Sequence, residues 1–268
     1  MSWIWAAFMP HPPIVIPEVG RGREKEAAVT LAGLKALQDK LGLLPDQGRP
    51  EALLILSPHQ PYAPNSLFIN NSPSLSGNLA RFGAPKVSFS LKTSDRLGEL
   101  SRHLTDQIPV LTGEAPDLSS DHGTIVPLYF LSQVFGPPPE VVVANPVGLS
   151  PAQSLNLGRA LAGWPGGKKQ WALLASGDLS HRLLSDGPYG FNPEGPLFDQ
   201  DVMKAFKNNA PGALLADWSP ARLEQAGECG FRSALTMMGL IGEAAEEISY
   251  EGPFGVGYGL SWWSLSQD

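Results

Sequence analysis

Short apolar segments alternate along this chain with longer segments of helical spacing. Four continuous apolar segments, Trp3–Met9, Ala52–Leu56, 141–144 and 171–175, predict strands that are buried on both faces. Weaker strand patterns lie at 66–69 and 87–91, and residues 248–265 read as two strands or as one bent strand. Residues 70–83, rich in Ser, Asn and Gly, predict a loop.

Helical spacing fills most of the chain between these strands. The predicted helices are 24–41, 94–107, His122–Phe135, Pro151–Ala162, 196–208, 220–225 and 231–247. Ser120 or Asp121 is a candidate N-cap for the third, and Ser150 before Pro151 is a candidate N-cap for the fourth. Buried strands that alternate with helices predict an α/β fold. We expect a single domain over residues 1–268, with a central mixed, mostly parallel sheet covered by helices on both faces.

Composition narrows the classes of function. The 268 residues are 43% hydrophobic and 17% charged, which is typical of a globular protein. The net charge of −7 argues against a nucleic-acid partner, because phosphates require a basic surface. No apolar segment has the length of a membrane span, and the N-terminus lacks the positive region of a secretory signal. The single cysteine, Cys229, excludes an intramolecular disulfide framework. We therefore expect a cytoplasmic protein.

Four of the five histidines follow or adjoin strand-like segments: His11, His59, His122 and His181. Residues just beyond the carboxyl ends of parallel strands converge on one crevice, where such sheets bind ligands. Neutral histidine is the commonest metal ligand and a natural base near pH 7. The pattern therefore predicts a metal site with histidines around it, whereas His103 lies in a polar helical segment and looks ordinary.

The individual histidines suggest different roles. His11 and His59 are flanked by prolines that stiffen their loops, which favours a preorganised metal site over two structural histidines. His181 follows Asp178, whose carboxylate could orient it for catalysis; a packing role is an equal alternative. His122 begins a helix, where the dipole disfavours its charged form, so it could donate a hydrogen bond to a substrate oxygen or simply occupy the first turn.

Glu228 stands immediately before an apolar helix. From the sequence alone, a helix-capping glutamate is the more common explanation. Together with His11 and His59, however, Glu228 would complete a two-histidine, one-carboxylate set, which leaves open positions on Fe(II) for substrate and O₂.

Other chemistry-bearing positions favour structural explanations. Cys229 is expected to be a buried structural thiol. Asp199 and Asp201 read as solvated helix residues, and the glycines of 255–259 lack the lysine and helix of a phosphate loop. Trp262 and Trp263 are more typical of a core or an interface than of a binding platform, and a homodimer is left open.

Five short motifs, taken together and in their order along the chain, resemble those of a known family. They are Pro10-His11-Pro12-Pro13, Ser57-Pro58-His59, Asp121-His122-Gly123 with Val126-Pro127-Leu128, Ser176-Gly177-Asp178-Leu179-Ser180-His181, and Glu228-Cys229-Gly230. With them the chain resembles the class III (LigB-type) extradiol ring-cleavage dioxygenases and the related Memo-like proteins, and its ending at 251–258 resembles a bacterial branch.

The resemblance implies an α/β sandwich and a mononuclear non-haem Fe(II) held by His11, His59 and Glu228. It implies His181 as the acid/base and His122 as a group that positions the substrate. The substrates implied are a small catechol-type aromatic diol and O₂. Two alternatives stay open: a Memo-like redox or interaction protein on the same scaffold, and a Zn²⁺-dependent hydrolase that uses the same ligands. The purified protein could also carry Zn²⁺ or another divalent metal in place of Fe(II).

Overall fold

The computed structural model describes residues 2–265 of the chain. Its ten strands are β1 (Trp3–Met9), β2 (Ala52–Leu56), β3 (Leu67–Asn70), β4 (Ser74–Leu79), β5 (Ala84–Lys92), β6 (Val110–Gly113), β7 (Glu140–Asn145), β8 (Trp171–Ser176), β9 (Glu246–Glu251) and β10 (Tyr258–Ser264). The nine α-helices in this part of the chain are α1 (Pro17–Gly20), α2 (Ala28–Gly42), α3 (Leu97–Thr105), α4 (His122–Phe135), α5 (Pro151–Ala162), α6 (Glu194–Asn208), α7 (Pro211–Asp217), α8 (Pro220–Ala226) and α9 (Phe231–Ile241).

Eight strands form one mixed sheet in the order β6-β3-β7-β2-β8-β1-β10-β9. The four central strands β7, β2, β8 and β1 run parallel, whereas β3 and β10 pair antiparallel with the outer strands of that group. The central strands are buried on both faces, as continuous apolar segments require. The predicted α/β class with a mixed, mostly parallel sheet is confirmed.

Apolar layers cover both faces of the sheet. One face packs against α3 and against the helices from α5 to α9, with Phe198, Phe206 and Phe231 among the fully buried side chains. The other face packs against α2, α4 and the β4–β5 hairpin, with Leu34 and Leu128 in that layer. Within the part of the chain that the structure describes, no helix is long and apolar enough to span a membrane.

Two predicted elements differ from the structure. Residues 70–83 contain β4, which pairs with β5 in a surface hairpin. The loop prediction was wrong because this hairpin depends on cross-strand pairing, which the polar composition of the segment does not indicate. The helix predicted for 231–247 ends at Ile241, because Gly242 adopts the left-handed conformation with φ 65° and stops it. Glu246 then begins β9, so the helix-forming residues after Gly242 were misassigned.

The topology places three loops beside one another. β1, β8 and β2 are adjacent and parallel, and they end at Met9, Ser176 and Leu56. The segments that follow them carry His11, His59, Asp178 and His181, so the carboxyl edge of the central sheet becomes the floor of one site.

Candidate metal centre and its cavity

His11 is fixed by the end of the neighbouring strand β8. Its backbone N–H donates to Asp178 Oδ1 at 2.9 Å, and its ring Nδ1 lies 2.8 Å from Ser176 Oγ. The residue is only 1% exposed. Contacts on both the backbone and Nδ1 set the ring orientation and aim Nε2 away from the strand.

His59 and His122 are brought together by one buried carboxylate, that of Asp121. Ser57 Oγ donates to Asp121 Oδ1 at 2.5 Å, which ties the loop after β2 to the start of α4. The Thr124 backbone N–H also donates to Oδ1, at 3.0 Å, so Asp121 is the N-cap of α4. His122 is the first residue of α4 and therefore faces the loop that carries His59.

Three imidazoles converge above the sheet edge. The ring centroids of His59 and His122 lie 4.0 Å apart, and the His11 ring lies 4.9 Å from the first and 5.1 Å from the second. His11 Nε2 and His59 Nε2 are 3.2 Å apart. One ligand atom from each residue lies within 4.8 Å of the others, and within residues 2–265 this is the group of three that could hold a metal ion.

His181 lines the same cavity as the other three. Its backbone N–H donates to the Gly227 carbonyl at 3.2 Å, and its ring stacks near Tyr189 with centroids 5.1 Å apart. Its Nε2 is buried and, among the described residues, has no hydrogen-bond partner. A buried polar atom without a partner costs free energy, so this nitrogen is suited to a ligand.

The environment favours neutral imidazoles. Burial, followed by repulsion from His59, lowers the pKa of His122 to about 3 and that of His181 to about 4. Burial also lowers the pKa of His11 well below its ordinary value, with repulsion from the other histidines adding to it. The neutral form of His122 agrees with the sequence-based expectation, although burial is the larger cause. Neutral imidazole is the form that binds a metal or accepts a proton.

Glu228 lies outside the three-histidine group. Its Oε2 accepts the backbone N–H of Phe231 at 2.6 Å, and its Oε1 forms an ion pair with Arg232 Nη1 at 2.9 Å. These are the contacts of a residue that caps α9, which was the explanation that the residues alone favoured. The structure thus brings His11 and His59 together and does not bring Glu228 to them; its role as a ligand stays a prediction.

Asp178 contacts His11, whereas the sequence had suggested that it orients His181. Besides accepting the His11 backbone N–H, its Oδ2 lies 3.9 Å from His11 Nε2. Burial raises the pKa of Asp178 to about 7. Adjacency in sequence to His181 was misleading because the residues after β8 turn back towards β1.

Cys229 is closer to the site than expected. It is half-buried, its Sγ lies 3.6 Å from His11 Nε2, and it accepts the Asp178 backbone N–H at 3.3 Å. The expectation of a buried thiol with apolar helix neighbours is therefore met only in part: the residue is half-buried and contacts His11 and Asp178, while burial raises the pKa of its thiol well above the ordinary value. The close approach of Gly177 to Gly230 brings this thiol to the end of β8. Both positions require glycine, because a side chain at Gly177 would collide with the Gly230 backbone and one at Gly230 would collide with the Asp178 carbonyl.

Cys229→Ser is expected to retain bound metal and to lower stability only modestly. A serine hydroxyl can still accept the Asp178 N–H, and Cys229 lies outside the three-histidine group. Metal content and the urea midpoint of the variant check this expectation. Loss of metal in Cys229→Ser would instead make the thiol a ligand, and rapid labelling of the native thiol would favour the redox alternative.

The neutral histidines also predict a pH-dependent difference in stability. The His122 pKa is about 3 in the folded protein and about 6.5 in an unfolded chain, so its stabilisation is present above pH 6.5 and is lost as the pH falls towards 3. The buried carboxyls Asp178 and Asp199, whose pKa values are raised to about 7, act in the opposite direction. A variant of His122 removes this contribution while both carboxyls remain; it also removes the repulsion by which His122 lowers the pKa of His11, which acts in the same direction.

We expect metal-free His122→Gln to gain stability relative to the native protein as the pH falls from 7 to 5. The gain in the free energy of unfolding that comes from His122 itself is at most roughly 1.4 kcal/mol per pH unit, because a difference of one bound proton changes that free energy by this amount per unit. Urea midpoints at both pH values measure it, with His103→Gln as the matched control. A constant difference between His122→Gln and the native protein would contradict the shifted pKa.

Asp199 is a supporting residue that sequence reasoning missed. It was read as a solvated helix residue, yet it is fully buried and accepts the Ser180 backbone N–H at 2.7 Å and the Tyr250 hydroxyl at 2.8 Å. It therefore anchors the segment that carries His181. Asp201 accepts Trp218 Nε1 at 3.1 Å, and Trp262 is a core residue beside Trp5.

A cavity of 510 Å³ opens over the histidines. Its polar floor consists of His11, His59, His122, His181 and Asp178. The remaining wall is largely apolar and aromatic, and it comes from the loop after β1, the β4–β5 hairpin, the segment after β8 and the turn before β10. A few convergent polar groups within an apolar concavity are typical of a small-molecule site.

Comparisons with known sequences and structures identify proteins to which this chain is similar. Protein CA_C1420 of Clostridium acetobutylicum is 34% identical over 271 residues, which cover 94% of this chain and 56% of that protein, so the chain spans about half the length of this relative. The crystal structure of the uncharacterized protein JW3007 from Escherichia coli K12 has the same fold, with a TM-score of 0.57, 17% identity, and coverage of 97% of this chain and 99% of that one. Residues 5–261 match the model of the catalytic LigB subunit of aromatic ring-opening dioxygenase. The chain, with its histidine-rich site at the carboxyl edge of the sheet, belongs to this LigB family.

Proposed function

We propose that this protein is a non-haem Fe(II)-dependent extradiol dioxygenase that opens the ring of a catechol-type diol with O₂. The observation that carries the proposal is the convergence of three neutral imidazoles under an apolar cavity, with His181 beside them, in a chain of the LigB family. The reactants are a small aromatic diol and O₂, and the metal is Fe(II).

The residues of the site fit a divalent metal. A ligating histidine must be neutral and usually engages its other ring nitrogen, and His11 does so through Nδ1 and Ser176 Oγ. The Nε2 atoms of His11 and His59 face each other. If each ring carries its proton on Nδ1, both Nε2 lone pairs are free and point to the same position, where a metal ion can bind. In the proposal these two histidines hold the metal.

The third ligand has two candidates, and they imply different roles for His122. In the arrangement of the structure, His122 completes the set. In the arrangement implied by the family resemblance, Glu228 is the ligand and His122 positions the substrate. The second arrangement requires the Glu228 carboxylate to leave the Phe231 N–H and Arg232.

When held by these residues, Fe(II) would activate O₂ and polarise the diol. The residues of the chain orient the diol and move its protons. His181 Nε2 is unpartnered and neutral, so it can accept a phenolic proton and later return it. The apolar walls limit the access of water to the reacting ring.

An O₂-uptake screen tests the proposal. Protein loaded anaerobically with Fe(II) is mixed with oxygenated buffer and a panel of substituted catechols, and both O₂ consumption and ring-opened product are measured. Stoichiometric uptake with product formation supports ring cleavage, and His59→Ala serves as the metal-poor control. Full Fe(II) occupancy with no uptake over the panel would overturn the proposal.

A zinc-dependent hydrolase is the second candidate. Three histidines are a recognised ligand set for catalytic Zn²⁺, which needs a water in its fourth position. The three-histidine group, without Glu228, is the observation that favours it. Hydrolysis of aryl esters by the Zn²⁺-loaded protein without O₂ would support this candidate against ring cleavage.

A further inference from the structure

The cavity is larger than a single aromatic ring requires. Its volume is 510 Å³, whereas an apolar cavity of about 150 Å³ is sufficient to bind benzene. A diol whose oxygens reach the histidines therefore leaves space towards the mouth. A substituent of considerable size on the ring can occupy that space.

Aromatic side chains from three separate elements surround this space. Phe82, between β4 and β5, contacts the His122 ring edge-on with centroids 5.4 Å apart. Tyr189, in the segment between β8 and α6, lies against His181, and Phe254 lies in the turn between β9 and β10. Phe82 and Tyr189 are 36% and 62% exposed, so their faces remain available to a ligand.

Aliphatic side chains complete the wall beside these rings. Ile14, Val19 and Val256 line the cavity between the aromatic groups. Burial of apolar area and stacking between rings are the interactions that such a wall offers. The surface is therefore complementary to an uncharged apolar group.

The lining offers little to an anionic substituent. Among the described lining residues the guanidinium of Arg23 is the permanent cation, and it lies over the Phe254 ring at 5.5 Å. Its Nε is already 3.0 Å from Glu26 Oε1, in an ion pair whose side chains are 64% and 54% exposed. An anionic substituent enclosed by these apolar side chains would lose hydration, and Arg23, the cation beside it, is already paired with Glu26.

We propose that the site takes diols that carry a bulky, uncharged, apolar substituent, with a second aromatic ring as the best match. This substituent lies between Phe82, Tyr189 and Phe254, while the diol faces the histidines. The assignment of a diol as the ligand rests on the function proposed above, whereas the preference for an apolar substituent depends only on the side chains of the cavity wall.

Anaerobic calorimetry with three matched ligands tests the preference: catechol, 3-phenylcatechol and 2,3-dihydroxybenzoate. Each is titrated into the Fe(II)-loaded and the metal-free protein. Burying one phenyl ring should make 3-phenylcatechol bind roughly 10- to 100-fold more tightly than catechol in both forms. Tighter binding of 2,3-dihydroxybenzoate than of 3-phenylcatechol, or no difference between 3-phenylcatechol and catechol, would overturn the proposal.

Three variants locate the preference in the wall. Phe82→Ala and Tyr189→Ala should each reduce the ratio of 3-phenylcatechol to catechol affinity by roughly 3- to 10-fold. Phe191→Ala is the matched control, since Phe191 lies in the same segment as Tyr189, is 56% exposed and does not line the cavity. An unchanged ratio in both wall variants, or an equal loss in Phe191→Ala, contradicts the assignment.

The outcomes separate this inference from the proposed function. A phenyl preference in the metal-free protein, with no diol cleaved by the Fe(II) form, leaves the wall assignment standing and rejects ring cleavage. Cleavage of diols with a preference for the carboxylate-bearing ligand leaves ring cleavage standing and rejects the wall assignment.

Discussion

His59→Ala is expected to weaken binding of a divalent metal by more than roughly 100-fold. Substitutions of groups that only support metal ligands typically cost 10- to 100-fold, so loss of a ligand should cost more. His59 Nε2 lies 3.2 Å from His11 Nε2, and its ring is the one closest to His122. Its removal leaves two of the three converging imidazoles. Anaerobic equilibrium dialysis against Fe(II), with total metal measured afterwards, provides the affinity.

Two further variants distinguish a ligand effect from a general loss of structure. His103→Ala is the matched control, since His103 Nε2 contacts the Ala160 carbonyl at 2.8 Å, in a helix that does not reach the cavity. Glu228→Gln separates the two arrangements of the third ligand. Full metal content in Glu228→Gln with loss in His122→Ala favours three histidines, whereas the reverse result favours the two-histidine, one-carboxylate set. Metal retained in His59→Ala would reject both.

The central sheet could be predicted because its strands are apolar on both faces. A segment such as Ala52–Leu56 has few alternatives to a buried strand. Parallel neighbours then place their following loops at one edge, so the positions of His11 and His59 after buried strands were enough to predict that they converge there. The edge strand β6 has no such pattern and depends on β3, a partner that is distant in sequence. The polar strand β4 has no such pattern either, and it depends on pairing with β5 in a separate hairpin.

Contacts within the site were less predictable because they join segments far apart in the chain. Asp178 contacts His11, 167 residues away in sequence, rather than its near neighbour His181. Cys229 contacts the same histidine because two glycines allow β8 and the start of α9 to touch. By contrast, Glu228 contacts Phe231 and Arg232, which are its near neighbours in sequence. Such local contacts are those expected of a glutamate that caps a helix, so they could be predicted from the sequence.

His181→Ala is expected to retain metal and to lower turnover by roughly 10²- to 10⁴-fold, the usual contribution of a general acid or base. His181 lies in the cavity but outside the group of three converging ligand atoms. Burial holds its pKa at about 4, so the imidazole is a neutral base at pH 7. In the proposed reaction the base becomes protonated as the pH falls towards 4, and the kcat/KM of the native protein should decline.

The pH profile of the variant separates proton transfer from a structural role. If His181 is the base, His181→Ala should lose the acidic decline that begins towards pH 4, while its metal affinity stays native. The Tyr189→Phe variant is a control for the neighbouring ring, because it keeps the stacking with His181 at 5.1 Å and removes only the hydroxyl. Equal loss of metal in His181→Ala and His59→Ala would show that His181 is a ligand. An unchanged acidic decline in a slow but metal-loaded His181→Ala would assign the titrating base to another group.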